Sequence, residues 1–69
     1  MKIRYDPKAD AAYIYFREGR VQVTTIRITE DIAVDLGPGE EIVGVEVLSA
    51  SEHLGLSGDI KEVVVETIG

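Results

Sequence analysis

Apolar and polar positions alternate with a period of two along much of this chain, the pattern of half-buried strands. Lys2-Ile3-Arg4-Tyr5 alternates in this way. Asp6-Pro7 ends the run, because proline has no ladder donor and its fixed φ suits a turn. Asp10 is expected to close that turn by accepting from nearby backbone N–H groups. Ala11 to Arg17 reads as a second strand. Ala12, Ile14 and Phe16 share one of its faces, and Ala11, Tyr13 and Tyr15 share the other. A strand apolar on both faces is either central in its sheet or waits for a partner on its outer side. Glu18-Gly19-Arg20 predicts a hairpin into a third strand, Val21 to Thr29. The apolar phase of that strand shifts, from odd at Val21 and Val23 to even at Ile26 and Ile28. Such a shift predicts a bulge or bend near Thr24-Thr25.

Glu30-Asp31 is a polar turn. Ile32, Val34 and Leu36 alternate with Ala33 and Asp35 as a fourth strand, and Gly37-Pro38-Gly39-Glu40 predicts a second hairpin. Ile42 to Leu48 is the fifth strand. Its Gly44 has no side chain, which marks the close approach of another backbone or of a ring. Ser49-Ala50-Ser51-Glu52 matches a capping box, so a short helix is expected from Ala50 to Leu54 or Leu56, stopped by Gly55 or Gly58. The tail then forks. Asp59-Ile60-Lys61-Glu62 can start a second helix, whereas the β-branched run Val63-Val64-Val65 with Thr67-Ile68 favours a sixth strand. The fold class is therefore α+β: a small antiparallel sheet of five or six strands, meander-like, with one short helix after the fifth, in a single domain spanning residues 1–69.

Three segments together resemble the YuzE-like family of small prokaryotic proteins of unknown function. They are Tyr5 to Ile14, with its tyrosine-aspartate-proline turn and alanine-aromatic strand; Ile32 to Asp35; and Ile42 to Ser51, a glycine-centred strand running into a short helix. The resemblance covers residues 2 to about 51, and the chain departs from the family's pattern after Leu56. It implies a small α+β cytoplasmic protein with no established activity, no cofactor and no catalytic residue to carry over. It also implies a suspected role as the antitoxin-like half of a gene pair.

Composition narrows the function. With 69 residues the chain is near the lower limit for independent folding, where a core rarely supplies more than ~3–5 kcal/mol. It has no cysteine and a single histidine, so disulfides, thiolate metal sites and histidine-rich metal sites are excluded. A regular β core and oligomerisation remain as sources of stability, and a homodimer is expected. The net charge of −6 repels phosphate backbones and argues against nucleic acid. It welcomes a small basic protein partner, and in itself also keeps a small domain dispersed. No apolar run approaches the ~20 residues of a membrane span, and the N-terminus lacks a signal-peptide segment.

No catalytic, cofactor-binding or metal-binding residue is assigned. Asp6 and Asp10 lie four apart around Pro7, but two carboxylates without further oxygen ligands suit turn closure better than a hard cation. Asp35, Glu40, Glu41 and Glu46 read as a solvated face. His53 lacks an evident orienting group. Ser49, Ser51 and Ser57 lack a nucleophile elbow, and Gly37-Pro38-Gly39 lacks the lysine and helix of a phosphate loop. Tyr5, Tyr13 and Tyr15 are the candidate interface, with Tyr5 expected opposite the other two in the first hairpin. Tyrosine carries an apolar body and a polar tip, which suits an interface as well as a core. The expected protein is a non-enzymatic interaction module that self-associates and binds a basic protein. The alternatives are a metal-dependent hydrolase using Asp6, Asp10 or Glu46, and an accessory structural domain.

Overall fold

The computed structural model describes residues 1–19, 22–56 and 65–68. Five strands form one antiparallel sheet: β1 (Lys2–Asp6), β2 (Ala11–Tyr15), β3 (Thr24–Arg27), β4 (Ile32–Leu36) and β5 (Ile42–Leu48). A single helical turn, Pro38–Glu40, links β4 to β5, and the short helix α1 (Ala50–Leu54) follows β5. The α+β class and the helix after the fifth strand are as the alternation predicts. No helix among the described residues is long and apolar enough to cross a membrane.

The strand order is β1-β2-β5-β4-β3. β1–β2 and β3–β4–β5 are sequential hairpins, but the expected hairpin at Glu18-Gly19-Arg20 does not form. β2 pairs instead with β5, and β3 lies on the opposite edge. The physical reason is the quality of β5 as a neighbour. Val45 and Val47 offer apolar partners to Ile14 and Ala12 in register, whereas β3 is short and exposed throughout. The link from β2 to β3 crosses two strands, about 14 Å at the usual strand spacing, well within the reach of residues 16–23.

The bulge expected near Thr24-Thr25 is also absent. β3 begins at Thr24, so Val23 lies before the strand and the apparent phase shift marks its start. The register irregularity falls instead between Asp35 and Leu36, where Leu36 pairs with Ile42 and Asp35 with Gly44. Residues 65–68 carry no regular secondary structure and are exposed; the rest of the region read as a helix or sixth strand, residues 60–64, lies outside the described residues.

Cross-strand register sorts the side chains into rows. Ile3, Ile14, Val45, Val34 and Ile26 form an unbroken apolar row across all five strands on one face. Tyr5, Ala12, Val47 and Ile32 form the next row of the same face. Helix α1 covers only one end of it: Ala50 is fully buried against Ala12 and Val47, with Tyr5, Val45 and Leu56 around them. Ala12 is buried as expected of the core face, but Phe16 is not, because β2 ends at Tyr15 and leaves the Phe16 ring 45% exposed. Among the described residues the buried apolar ones are Ala12, Ala33, Val47 and Ala50, all small.

Candidate functional site

The opposite face of the sheet carries the polar chemistry, again in rows. Lys2, Tyr15, Gly44, Asp35 and Thr25 align across the five strands, and Arg4, Tyr13, Glu46, Ala33 and Arg27 align beside them. Tyr13 leans diagonally from β2 across Gly44 of β5, and its hydroxyl donates to Asp35 Oδ2 on β4. A β-carbon on Gly44 would lie 2.3–2.5 Å from the tip of that ring. The glycine is therefore the gap through which the tyrosine passes. Thr25 Oγ on β3 donates to Asp35 Oδ1 at 2.5 Å, so a single carboxylate joins three strands through side chains and backbone. In the neighbouring row Arg27 reaches across the buried Ala33 to Glu46, at 3.4 Å. Both members of that pair are about half exposed, and it contributes at most about 1 kcal/mol.

Toward the β1 edge the face becomes aromatic and basic. The Tyr13 and Tyr15 rings sit 4.5 Å apart and are tilted by 58°. Lys2 Nζ lies 5.2 Å from the Tyr15 ring centre, in cation–π range. An open depression runs beside them past Arg4 and Glu46. Tyr5 borders that depression but does not stand in the row of either ring. It pairs with Ala12 in register and so lies on the apolar face, which corrects the expectation that it stands opposite Tyr13 and Tyr15. Nor does the helix cover Tyr13 and Tyr15, since α1 packs on the other side of the sheet.

The carboxylates near the first turn are engaged by the protein's own donors. Asp6 Oδ1, not Asp10, closes the turn, accepting from the Lys8 and Ala9 N–H groups at 3.0 and 3.5 Å. Asp10 is spent over a longer distance. Its Oδ1 accepts from the Ser51 N–H at 2.9 Å and from the Tyr5 hydroxyl at 2.8 Å, and its Oδ2 accepts from the Ser51 hydroxyl at 2.6 Å. Its backbone carbonyl takes the Ala50 N–H at 2.9 Å. Asp10 thus caps α1 from the far side of the sequence. The expected capping box is not made: Ser49 adopts a left-handed conformation, with φ 50°, and its side chain caps nothing. The Ser51 bonds, then the Tyr5 bond, hold the Asp10 carboxyl below its ordinary value, and the same bond to Asp10 holds the Tyr5 phenol up.

The remaining candidates disperse. His53 Nε2 meets Asp31 at 2.9 Å on the surface, and Arg17 meets Glu41 at 3.7 Å. Asp35, Glu41 and Glu46 each have separate partners, so they form no carboxylate pair, and Ser57 lies outside the described residues. Among the described residues no three potential metal ligands converge. Burial, then the bond to Asp35 and the nearby acidic charges, push the Tyr13 phenol up to about 12. It remains a protonated donor at neutral pH and cannot serve there as a base.

That shift has a measurable consequence. The folded-state value lies above the ordinary 10.0, so the stabilisation is complete below pH 10 and is lost as pH rises toward about 12. Alkaline titration of phenolate absorbance should show a component near pH 12 that is absent from Tyr13→Phe, with unfolding midpoints falling through the same interval. An alkaline titration curve that Tyr13→Phe leaves without loss of a late component would contradict the network.

Sequence reasoning did not find Asp35, Thr25, Arg27 and Glu46 as one arrangement. The available signal was Gly44, whose missing side chain marks the ring's approach, although sequence could not say which ring. Compared with known proteins, residues 2–51 match a family model described as "Protein of unknown function (DUF2283)". No curated protein and no solved structure matches the chain.

Proposed function

The chain belongs to the DUF2283 family of proteins of unknown function, and from that premise we propose that it is a non-enzymatic protein-interaction module. It self-associates as a homodimer and uses its acidic end to hold a small basic protein, in the manner of an antitoxin. We read the family as the YuzE-like one; the matched residues 2–51 are the stretch over which that resemblance runs, which supports the equation. A chain without cysteine suits a reducing compartment, and the proposal places it in the cytoplasm.

The observation that carries self-association is the apolar row Ile3-Ile14-Val45-Val34-Ile26, which α1 covers at one end only. Domains are stable as packed layers, and a one-turn helix is a small second layer for a five-stranded sheet. Charge segregation supports the basic partner. Five of the seven basic residues lie within the first twenty positions, and ten of the thirteen acidic residues follow them. The two ends of the sheet therefore differ in sign, with Lys2 and Arg4 on β1 and Glu30, Asp31, Glu40 and Glu41 in the turns of the β3–β4–β5 end. The non-enzymatic reading is supported by the structural use of Asp6, Asp10 and Asp35 and by a Tyr13 phenol held protonated.

Light scattering across the micromolar range should report a dimer. Affinity purification of the tagged chain from its host should bring down a basic protein that added salt releases. A monomer at high micromolar concentration, together with no salt-sensitive basic partner, overturns the proposal.

A further inference from the structure

The proposed self-association leaves open which surface the two copies share, and the backbone of the sheet edge answers it. Ile28 N–H bonds the Ile32 carbonyl, which fixes the alternation in the β3–β4 ladder. Residues Ile28, Ile26 and Thr24 direct their backbone groups to β4, through Ile32, Val34 and Leu36. Thr25 and Arg27 therefore direct their N–H and C=O groups away from the sheet. Among the described residues no strand lies beyond β3, and every residue of β3 is exposed. Ile26 is 47% exposed and Ile28 60%.

The other edge differs. β1 carries Lys2 and Arg4 and runs directly into Asp6-Pro7, the charged and proline-terminated form that discourages edge pairing. β3 has no such protection apart from Arg27, whose guanidinium is turned onto the Glu30 carbonyl and Glu46.

We propose that β3 pairs antiparallel with β3 of a second copy of this chain, on a two-fold axis at Ile26, joining two five-stranded sheets into one. This rests on the self-association reading above and places its seam at a sheet edge, where the apolar row is extended into the second copy and not covered by it. Three registers bring outward-facing backbone groups together near the strand centre. One sets Arg27 against Arg27, opposing like charges. One sets Thr25 against Thr25 and leaves Ile26 beside a threonine. The third bonds Thr25 to Arg27 in both directions and sets Ile26 beside Ile26. Of the two registers that avoid opposing arginines, only this last one continues the apolar row from Val34 and Ile26 into the second copy, and it places the second copy's Arg27 in the row of Asp35 on the polar face. Pairing uses up both β3 edges and leaves the two charged β1 edges outside, so assembly stops at two copies. The seam is short, and the dimer should dissociate on dilution.

The absence of cysteine makes the test direct. At the axis, Ile26 and its counterpart occupy a non-hydrogen-bonded pair with α-carbons about 4.5 Å apart, within disulfide range. Ile26→Cys should therefore form a disulfide-linked dimer under mild oxidation. Thr24→Cys, which faces Ile28 of the second copy, and Ile3→Cys on β1 should stay largely unlinked. Thr25→Pro removes an outward N–H and should give a monomer, whereas Thr25→Val keeps that N–H, loses the hydroxyl bond to Asp35 and should remain dimeric. A wild-type monomer at high micromolar concentration overturns both this proposal and the self-association reading. A dimer that links through Ile3→Cys but not Ile26→Cys, or that survives Thr25→Pro, overturns the β3 seam alone.

Discussion

Gly44→Ala is expected to destabilise the protein by about 1–3 kcal/mol, the usual range for forcing a methyl group into occupied space. In most exposed or half-buried strand positions alanine is better tolerated than glycine, because glycine has more conformational freedom to lose. Here the sign reverses. The new β-carbon would sit 2.3 Å from the Tyr13 hydroxyl and 2.4 Å from the nearest ring carbon. The ring must lift, and its hydroxyl then leaves Asp35. Asp35 would keep Thr25 as a donor but lose the tyrosine. In a domain whose buried apolar residues, among those described, are three alanines and a valine, a loss of this size lowers the melting midpoint by roughly 10 °C. A double-mutant cycle isolates the cause. In a Tyr13→Ala background, Gly44→Ala should cost little or stabilise, since nothing remains for the methyl group to strike. Equal costs in both backgrounds would mean that the strand backbone, and not the ring, requires the glycine.

The same pair of residues shows what the sequence could and could not reveal. The period-two alternation and the turn residues place β1, β2, β4, β5 and α1 within a residue or two, because those signals are local. Strand partners are another matter. Gly19 and its flanks suggest a hairpin as readily as a crossing, and what decides is the match of Ala12 and Ile14 to Val47 and Val45 more than thirty positions away. Tyr13 and Asp35 meet only because β5 enters between β2 and β4, so their bond is invisible until strand order is known. Val23 misled for a simpler reason. An apolar residue just before a strand looks like part of it, and the false phase suggests a bulge. Ser49 and Glu52 have capping-box spacing, yet a competing acceptor, Asp10, comes from a turn that only the tertiary fold brings near.

Asp10 therefore carries the second large effect. Asp10→Ala should lower the melting midpoint by about 5 °C, as expected for loss of a helix cap. Three donors lose their acceptor together: the Ser51 N–H, the Ser51 hydroxyl and the Tyr5 hydroxyl. The backbone adds a separate cost, because Asp10 has φ 50°, where alanine is strained and asparagine and glycine are tolerated. Three substitutions separate these causes. Asp10→Asn keeps one side-chain oxygen and the left-handed backbone, and should be the mildest. Asp10→Gly relieves the backbone but loses every side-chain bond, and should fall between. Asp10→Ala suffers both losses. Acidity supplies an independent check. The folded-state carboxyl titrates below its ordinary 3.8, so its contribution is complete above that value and is lost as pH falls through the lower folded-state value. Thermal melts from neutral to strongly acidic pH should show a loss in the wild type that is smaller in Asp10→Asn, whose amide does not titrate. If the two acid limbs coincide, the ionised carboxylate is not what joins the first turn to the helix, and the backbone bond from Ala50 to the Asp10 carbonyl holds them together by itself.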